Sequence, residues 1–218
     1  TVHAMPPADL DAYAQHVLEA FETPGMSVAI VERGQPPVLR SYGLRRMGQP
    51  TQVDENTLFA IGSTTKAFTS AILATLVDEG KLTWDTRVSD VLPGFKLQDA
   101  YASSEMTVRD LLVHRSGLGL GAGDLLFYPP PSDRTRAEIV HSLRYIKPAS
   151  SFRSTFAYSN MMYLVAGEVI KAVGGASWEE AVRRLVFAPL GMTRSNFSVL
   201  ESQKDRDFAF PYDERDGK

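Results

Sequence analysis

The sequence predicts an α+β protein in which a helix and an antiparallel pair of strands precede a mostly helical region. The first observation is a set of apolar residues at three- and four-residue spacing over residues 8–21, which predicts a helix. The second is a pair of short apolar runs at 26–31 and 38–44, joined by a turn with glycine and proline, which predicts a hairpin. The third is the succession of helical segments and irregular loops that follows Gly80.

The central predicted element is a helix over residues 64–79, which ends at Gly80. From residue 67 to residue 77 its only polar side chains are hydroxyls, so we expect the helix to be buried on nearly all sides. Lys66 lies in its first turn, where an unpaired ammonium would be costly, so we expect it to be hydrogen-bonded, deprotonated or both. Residues i and i+3 share a helix face, which places the Lys66 nitrogen within reach of the Ser63 hydroxyl.

This spacing is suited to nucleophilic catalysis. A serine hydroxyl becomes a nucleophile when a neighbouring base takes its proton, and Lys66 could be that base for Ser63. The helix N-terminus would also favour the negative charge that develops during attack. The alternative is a helix in which Ser63 or Thr64 is only the N-cap and Lys66 faces solvent, since S-x-x-K is common by chance. These residues alone leave both interpretations open.

The chain after Gly80 is predicted to be helical with loops between the helices. Thr107 and Ser177 are typical N-cap residues, and Ser177 opens a capping-box pattern. Residues 116–123 are rich in glycine, but the spacing is not G-x-G-x-x-G and no strand precedes them, so we predict a loop and no dinucleotide site. Residues 208–212 could begin a strand. The predicted helical segments are 84–92, 107–114, 136–145, 161–173 and 177–187.

Composition excludes several classes of function. The 218 residues carry a formal net charge of −3, which argues against a nucleic-acid or anionic-membrane surface. No apolar run approaches the ~18 residues of a membrane helix. There is no cysteine, which excludes disulfides, a cysteine nucleophile and a thiolate metal site, and we predict no cofactor or metal. Localisation is left open, with a periplasmic or secreted location slightly favoured, and a chain that begins at Thr1 is expected to have been processed or trimmed.

A second motif, Y-x-N, occurs at Tyr158 and Asn160, just before the helix predicted at 161. Taken alone, Tyr158 is interpreted as a buried aromatic residue and Asn160 as a helix N-cap. Together with the S-x-x-K at 63–66, the motif resembles the penicillin-recognising serine hydrolases, above all class C β-lactamases, β-lactamase-like carboxylesterases and D-aminopeptidases. The resemblance spans about residues 8–218. It extends to the segments LLVHRSGL at 111–118, FAYSN at 156–160 and PLGM at 189–192.

The resemblance implies a β-lactamase/transpeptidase-like fold and an acyl-enzyme mechanism. It implies that Ser63 is the acylated nucleophile and Lys66 its proton partner. Tyr158 would protonate the leaving group and later activate water, and Asn160 would bind the substrate by a hydrogen bond. A phenol titrates near pH ~10, and a nearby ammonium would favour its phenolate form. His114 is interpreted as a structural residue that bonds the backbone of the following glycine turn.

The family also has a third motif, K-T-G or H-x-G, on a late sheet strand, and no such strand follows Tyr158. We therefore expect this chain to be an N-terminal portion with an incomplete sheet. Residues 1–61 would be the first part of the α/β sheet domain, 62–200 the nucleophile helix and mostly helical domain, and 201–218 the start of the return to the sheet. A second polypeptide would supply the missing strands, and the isolated chain should be inactive.

The predicted function is that of a serine hydrolase acting through a Ser63 acyl-enzyme. The predicted substrates are peptides, including D-amino-acid peptides, or esters, and a β-lactam is less favoured. The alternative is a function without catalysis, that of a penicillin-binding-like sensor or binding domain. An α/β-hydrolase is rejected because Ser63 lacks the G-x-S-x-G elbow.

Overall fold

The structure is a computed structural model, which describes residues 8–129 and 131–213. The helices and strands in chain order are α1 (Leu10–Ala20), β1 (Gly25–Ile30), β2 (Val38–Gly43), α2 (Thr65–Asp78), α3 (Val88–Val91), α4 (Ala100–Glu105), α5 (Val108–Leu112), α6 (Arg136–Ser142), α7 (Asn160–Gly174), α8 (Trp178–Val182) and α9 (Val199–Ser202). Short 3-10 turns occupy Gly62–Thr64, Asp124–Leu126 and Leu143–Tyr145, and a π-helical turn, Arg183–Phe187, extends α8. The described residues divide into two units, one formed by those up to Ile61 and from Arg194 on, the other by Gly62–Thr193.

The first unit contains the predicted helix and hairpin. Strands β1 and β2 pair antiparallel, with Gly25 opposite Gly43 and Ile30 opposite Val38, which confirms the predicted hairpin. The strand predicted at 208–212 is wrong, because Phe208 makes only an isolated bridge. The next two amides donate to carbonyls of two different segments, so no regular ladder forms there.

The second unit is built around α7. This helix buries an apolar stripe along nearly all of its length, and α2, α3, α5, α6 and α8 pack against it. Its ends agree with the predicted apolar helix at 161–173: the Ser159 hydroxyl accepts from the backbone N–H of Met162, and Gly175 ends the helix with a left-handed φ of 73°. The buried residues of α7 are Met161, Met162, Val165, Ala166, Gly167, Val169 and Ile170.

Helix α2 begins and ends where the sequence predicts, but it is buried on one face only. Thr69, Ile72 and Leu76 are buried at helical spacing, whereas Ala67 and Ala71 on the opposite side are exposed. Within this unit α2 packs against α7 and α8, which cover a single stripe of its surface. The expectation of burial on nearly all sides is therefore wrong for the described residues.

The capping signals predicted the helix starts better than the apolar pattern predicted the helix lengths. Thr107 and Ser177 both form capping boxes at the predicted positions. Within the segment predicted at 84–92, only Val88–Val91 is helical. Helix α4 was not predicted, because its six residues are mostly polar or small and show no apolar periodicity, although Asp99 caps it by accepting from the N–H of Ala102.

A buried carboxylate ties α5 to the loop before α7. Asp110 is 6% exposed and accepts from the backbone and hydroxyl of Thr107, while Arg153 donates to both of its oxygens, at 2.9 and 2.6 Å. Burial raises the pKa of Asp110, but the hydrogen bonds from Arg153 and Thr107 outweigh it and hold the pKa below its ordinary value. The ion pair therefore fixes the loop that carries the site residues described below.

Replacing Asp110 with Asn should lower the free energy of unfolding by about 2 kcal/mol at neutral pH, less than for a fully buried pair because Arg153 is half-exposed. A lowered folded-state pKa contributes stability above the ordinary aspartate value of about 4, and this contribution is lost as the pH falls through the folded value. Urea unfolding should therefore show a deficit that shrinks below about pH 4. Asp85→Asn, at an exposed carboxylate, is the matched control. A deficit that does not change with pH would contradict this account.

Candidate active site

The structure brings the hydroxyl of Ser63 against two potential acid–base groups. Ser63 lies in the 3-10 turn Gly62–Thr64 that leads into α2. Its Oγ accepts a hydrogen bond from Lys66 Nζ at 3.0 Å and one from the Tyr158 hydroxyl at 2.6 Å. The predicted i, i+3 contact between Ser63 and Lys66 is therefore present, and Tyr158 reaches the same oxygen across 95 residues of sequence.

Lys66 is held by neutral groups. Besides Ser63, its Nζ donates to Asn160 Oδ1 at 2.8 Å. The same nitrogen lies 4.7 Å from the ring centroid of Tyr158 and 5.2 Å from that of Tyr163, which are cation–π distances. The interpretation of Lys66 as a solvent-facing residue is wrong, and the expectation that it is hydrogen-bonded is confirmed.

Tyr158 and Asn160 reach the site because they flank the N-cap of α7. Ser159, not Asn160, is the capping residue, so the interpretation of Asn160 as a cap is wrong. Asn160 is the first residue of the helix, and its side chain points back to Lys66 with Oδ1 and to Asp124 Oδ2 with Nδ2, at 3.0 Å. Tyr158 is half-buried rather than buried, since its hydroxyl faces the candidate site.

The surroundings of Tyr158 favour its phenolate form. The neighbouring Lys66 side chain lowers the pKa of Tyr158, and the hydrogen bond with Ser63 lowers it further. Partial burial acts in the opposite direction, but it is the weaker effect. A larger fraction of this tyrosine is therefore phenolate near neutral pH than of an ordinary phenol, and only the phenolate form can accept a proton.

His114 contacts the ring of Tyr158 and the backbone next to it. Its ring stacks on that of Tyr158 with centroids 4.4 Å apart, its Nδ1 accepts from the backbone N–H of Ser159 at 3.1 Å, and its carbonyl accepts from Ala157 N at 2.8 Å. The expected bond of its side chain to the glycine turn is wrong, because the partner is the N-cap of α7. Burial lowers the pKa of His114, and the charge of Lys66 lowers it further, so the neutral ring that accepts this bond is favoured.

The sequence motifs did not predict two residues of the site. Asp124 follows the glycine-rich loop and contacts Asn160, and Tyr163 lies one helical turn after Asn160 with its ring beside Lys66. The position of Tyr163 could have been found from its i, i+3 spacing to Asn160. Nothing in the sequence around Asp124 connects it to α7.

An open cavity of about 590 Å³ lies beside Ser63 within the second unit. One part of its lining is polar, with Ser63, Lys66 and Asn160, and the other is apolar or aromatic, with Phe127 and Leu164. This combination is typical of a site that binds an organic substrate and orients one polar group of it. Among the described residues, no cluster of three or more histidine, aspartate or glutamate side chains could hold a metal ion.

The lowered pKa of Tyr158 gives a direct test of the site. In a near-ultraviolet absorbance titration, the difference between the wild-type protein and Tyr158→Phe should show one phenol that ionises below the ordinary value of about 10. In the Lys66→Ala background this transition should move upward, because the neighbouring cation that stabilises phenolate is removed. A transition that stays in place without Lys66 would show that the lysine does not act on Tyr158.

The contact between His114 and Ser159 gives a second test. His114→Phe keeps a ring against Tyr158 but leaves the buried Ser159 N–H without its acceptor, which should cost about 1–2 kcal/mol of unfolding free energy at pH 7. A lowered folded-state pKa means that wild-type stability is lost as the pH falls below about 6.5, and Phe has no such dependence.

The difference between the wild-type protein and His114→Phe should therefore shrink between pH 7 and pH 5 in urea unfolding. His141→Phe, at an exposed position of α6, is the matched control and should leave stability unchanged. A His114→Phe deficit that grows on acidification would contradict the assignment of a neutral ring.

Comparison with known proteins gives a consistent result. Residues 10–218 match the protein-family model described as Beta-lactamase. Unguisins hydrolase ungD′ of Aspergillus campestris (strain IBT 28561) is 33% identical over 204 residues, which cover 89% of this chain and 37% of that protein.

Solved structures agree with this match. The octameric penicillin-binding protein homologue from Pyrococcus abyssi has a TM-score of 0.78 at 29% identity, over 94% of this chain and 47% of that one. The D-amino acid amidase from Ochrobactrum anthropi SV3, complexed with D-phenylalanine, has a TM-score of 0.72 at 27% identity, over 96% of this chain and 62% of that one. The chain thus spans between about a third and three fifths of the length of these relatives. No helix in the described part of the chain is long and apolar enough to cross a membrane.

Proposed function

The chain belongs to the beta-lactamase family of serine hydrolases, and from this membership we propose that Ser63 forms an acyl-enzyme with Lys66 and Tyr158 as its acid–base pair. The observation that supports the proposal is the position of Ser63 Oγ, which is hydrogen-bonded to both Lys66 and Tyr158. The resemblance to penicillin-recognising serine hydrolases and the β-lactamase/transpeptidase-like fold predicted from the sequence are confirmed.

The proposed acylation step uses each of the three groups once. The proposed step starts from the protonation state in which Lys66 is a neutral amine and Tyr158 a neutral phenol. As Ser63 Oγ attacks the carbonyl carbon of the substrate, its proton passes to the amine of Lys66. The Tyr158 hydroxyl gives its proton to the leaving nitrogen or oxygen as the bond to the carbonyl carbon breaks. The products are an acylated Ser63, a Lys66 ammonium and a Tyr158 phenolate, which the neighbouring ammonium stabilises.

Deacylation returns both protons. The Tyr158 phenolate takes a proton from water, and the resulting hydroxide attacks the acyl carbon. When the tetrahedral intermediate collapses, Ser63 Oγ takes its proton back from Lys66 and the carboxylic acid product leaves. The lowered pKa of Tyr158 favours the phenolate that acylation leaves, so this base is present near neutral pH when water reaches the acyl carbon.

The developing negative charge on the substrate oxygen requires hydrogen-bond donors. The backbone N–H of Ser63, at the N-terminal end of α2, is the first donor that we propose. By resemblance, the second donor would come from the strand of the third motif. The expectation that a second polypeptide supplies that strand stays a prediction.

We propose amides or peptides as the substrate class, with D-aminoacyl groups as the first candidates and esters as the alternative. The proposal draws on the names of two relatives, a hydrolase of unguisins and a D-amino acid amidase. It also draws on the cavity, whose apolar part near Phe127 and Leu164 could hold a side chain while Asn160 binds an amide or carbonyl group.

The test is covalent labelling of the full-length protein by an organophosphonate, followed by intact mass measurement. The wild-type protein should gain one adduct at Ser63, and Ser63→Ala should gain none. Lys66→Ala should slow labelling by about 10²–10⁴-fold, the usual contribution of a general base, while its unfolding transition remains cooperative. Tyr158→Phe should slow turnover of an amide or ester substrate by a similar factor.

The outcomes separate the alternatives. Labelling of Lys66→Ala at the wild-type rate would contradict the Ser–Lys mechanism. A stable adduct at Ser63 without turnover of any D- or L-aminoacyl amide or matched ester would favour the penicillin-binding-like sensor over the hydrolase. Faster turnover of esters than of the matched amides would replace the proposed peptide class by esters.

A further inference from the structure

We propose that Asp124 is a positioning residue, which holds the side-chain amide of Asn160 in the orientation that presents its oxygen to Lys66. This inference rests on the proposed function, because its consequence for catalysis passes through Lys66. Asp124 itself lies on the cavity lining without a hydrogen bond to Ser63, Lys66 or Tyr158 among the described contacts.

The orientation of the amide follows from the chemistry of its two neighbours. Lys66 Nζ donates to both of its oxygen partners, and the Asp124 carboxylate has only acceptors. Asn160 lies between them, with Oδ1 2.8 Å from Lys66 Nζ and Nδ2 3.0 Å from Asp124 Oδ2. Rotation of the amide by half a turn would place donor against donor and acceptor against acceptor, so the two neighbours together permit one orientation.

The backbone around Asp124 is set firmly enough for such a role. Its N–H donates to Gly121 O at 3.0 Å, and its carbonyl accepts from the N–H of Phe127 and of Tyr128. Gly123, with φ of 90°, packs so tightly on α7 that a Cβ there would lie 2.8 Å from Met161 Cγ. Since Met161 follows Asn160, this glycine sets the distance between the carboxylate and the amide that it orients.

The carboxylate is held at a cost to stability. Asp124 Oδ1 is buried and has no hydrogen-bond partner among the described residues. A buried polar atom without a partner lowers stability, and an apolar group of similar shape would avoid that cost. If Asp124 served only to stabilise the fold, a buried carboxylate oxygen without a partner would be unfavourable at this position. A variant that loses activity without losing stability would therefore indicate that Asp124 positions Asn160.

The experiment compares Asp124→Asn, which keeps an acceptor for Asn160, with Asp124→Leu, which has the same branching and no acceptor. In the full-length protein, Asp124→Leu should slow organophosphonate labelling of Ser63 by about ten- to a hundredfold, the worth of a charge-assisted hydrogen bond. Asp124→Asn should stay within about fivefold of wild type, because it still accepts from Asn160 and a hydrogen bond to a neutral acceptor is only moderately weaker than a charge-assisted one. Asp85→Asn removes the same charge at an exposed position and should not change the rate.

Two further measurements do not depend on labelling. The free energy of unfolding of Asp124→Leu should equal or exceed that of the wild-type protein. In NMR spectra, the side-chain amide signals of Asn160, identified by their loss in Asn160→Ala, should keep their hydrogen-bonded shift in Asp124→Asn and lose it in Asp124→Leu.

Several results would overturn the inference. These are equal labelling of the Asn and Leu variants, a slow Leu variant that is also less stable, or unchanged Asn160 signals in Asp124→Leu. A wild-type protein that is not labelled at Ser63 refutes the proposed function instead, and the NMR comparison then still decides whether Asp124 orients Asn160.

Discussion

The constraint on which the rest of the site depends is the placement of one ammonium group among neutral partners. Lys66 makes no ion pair within 4 Å in the described part of the chain; its Nζ is surrounded by the Ser63 hydroxyl, the Asn160 amide oxygen and the faces of Tyr158 and Tyr163. The amide, hydroxyl and ring groups compensate part of the hydration that the ammonium loses in this partly buried position. The hydroxyl oxygen, the amide and both rings must therefore meet at a single nitrogen.

Helix α7 meets this requirement by combining the core of the second unit with one wall of the site. Its buried apolar stripe packs against five neighbouring helices, which fixes its axis, and its N-terminal end carries Tyr158 just before the cap and Asn160 just after it. His114 bonds the backbone on both sides of Tyr158, so the position of the phenol is set by main-chain contacts and not by its own hydroxyl. The phenol hydroxyl is thus free of a structural role and hydrogen-bonds Ser63. The apolar stripe of α7 stabilises the unit, whereas the residues at its N-terminal end form the candidate site.

Much of this arrangement could be predicted from the sequence. The helix and hairpin of the first unit, the start of α2 at the Ser/Thr cluster, and the capping boxes at Thr107 and Ser177 follow from local patterns. The two short motifs that contain Ser63 and Tyr158, together with the segments at 111–118, 156–160 and 189–192, indicated the family, because their spacing and order match. The errors have a common cause: burial of Ala67, a cap at Asn160, and a strand at 208–212 were judged from residue type, whereas neighbours distant in sequence decide them.

The sequence by itself determined the fold class, the family and the residues that meet at Ser63, because helix periodicity and capping act over a few residues and the motifs are short. Only the tertiary structure decided which groups surround Lys66, which atom His114 bonds, and that Asp124 faces Asn160. The hydrogen bonds of Asn160 with Lys66 and Asp124, and of His114 with Ser159, join residues 36 to 94 positions apart, and each depends on how α7 packs on its neighbours. The physical reason is that a hydrogen bond is made or lost within about half an ångström, a precision that packing provides and sequence spacing does not.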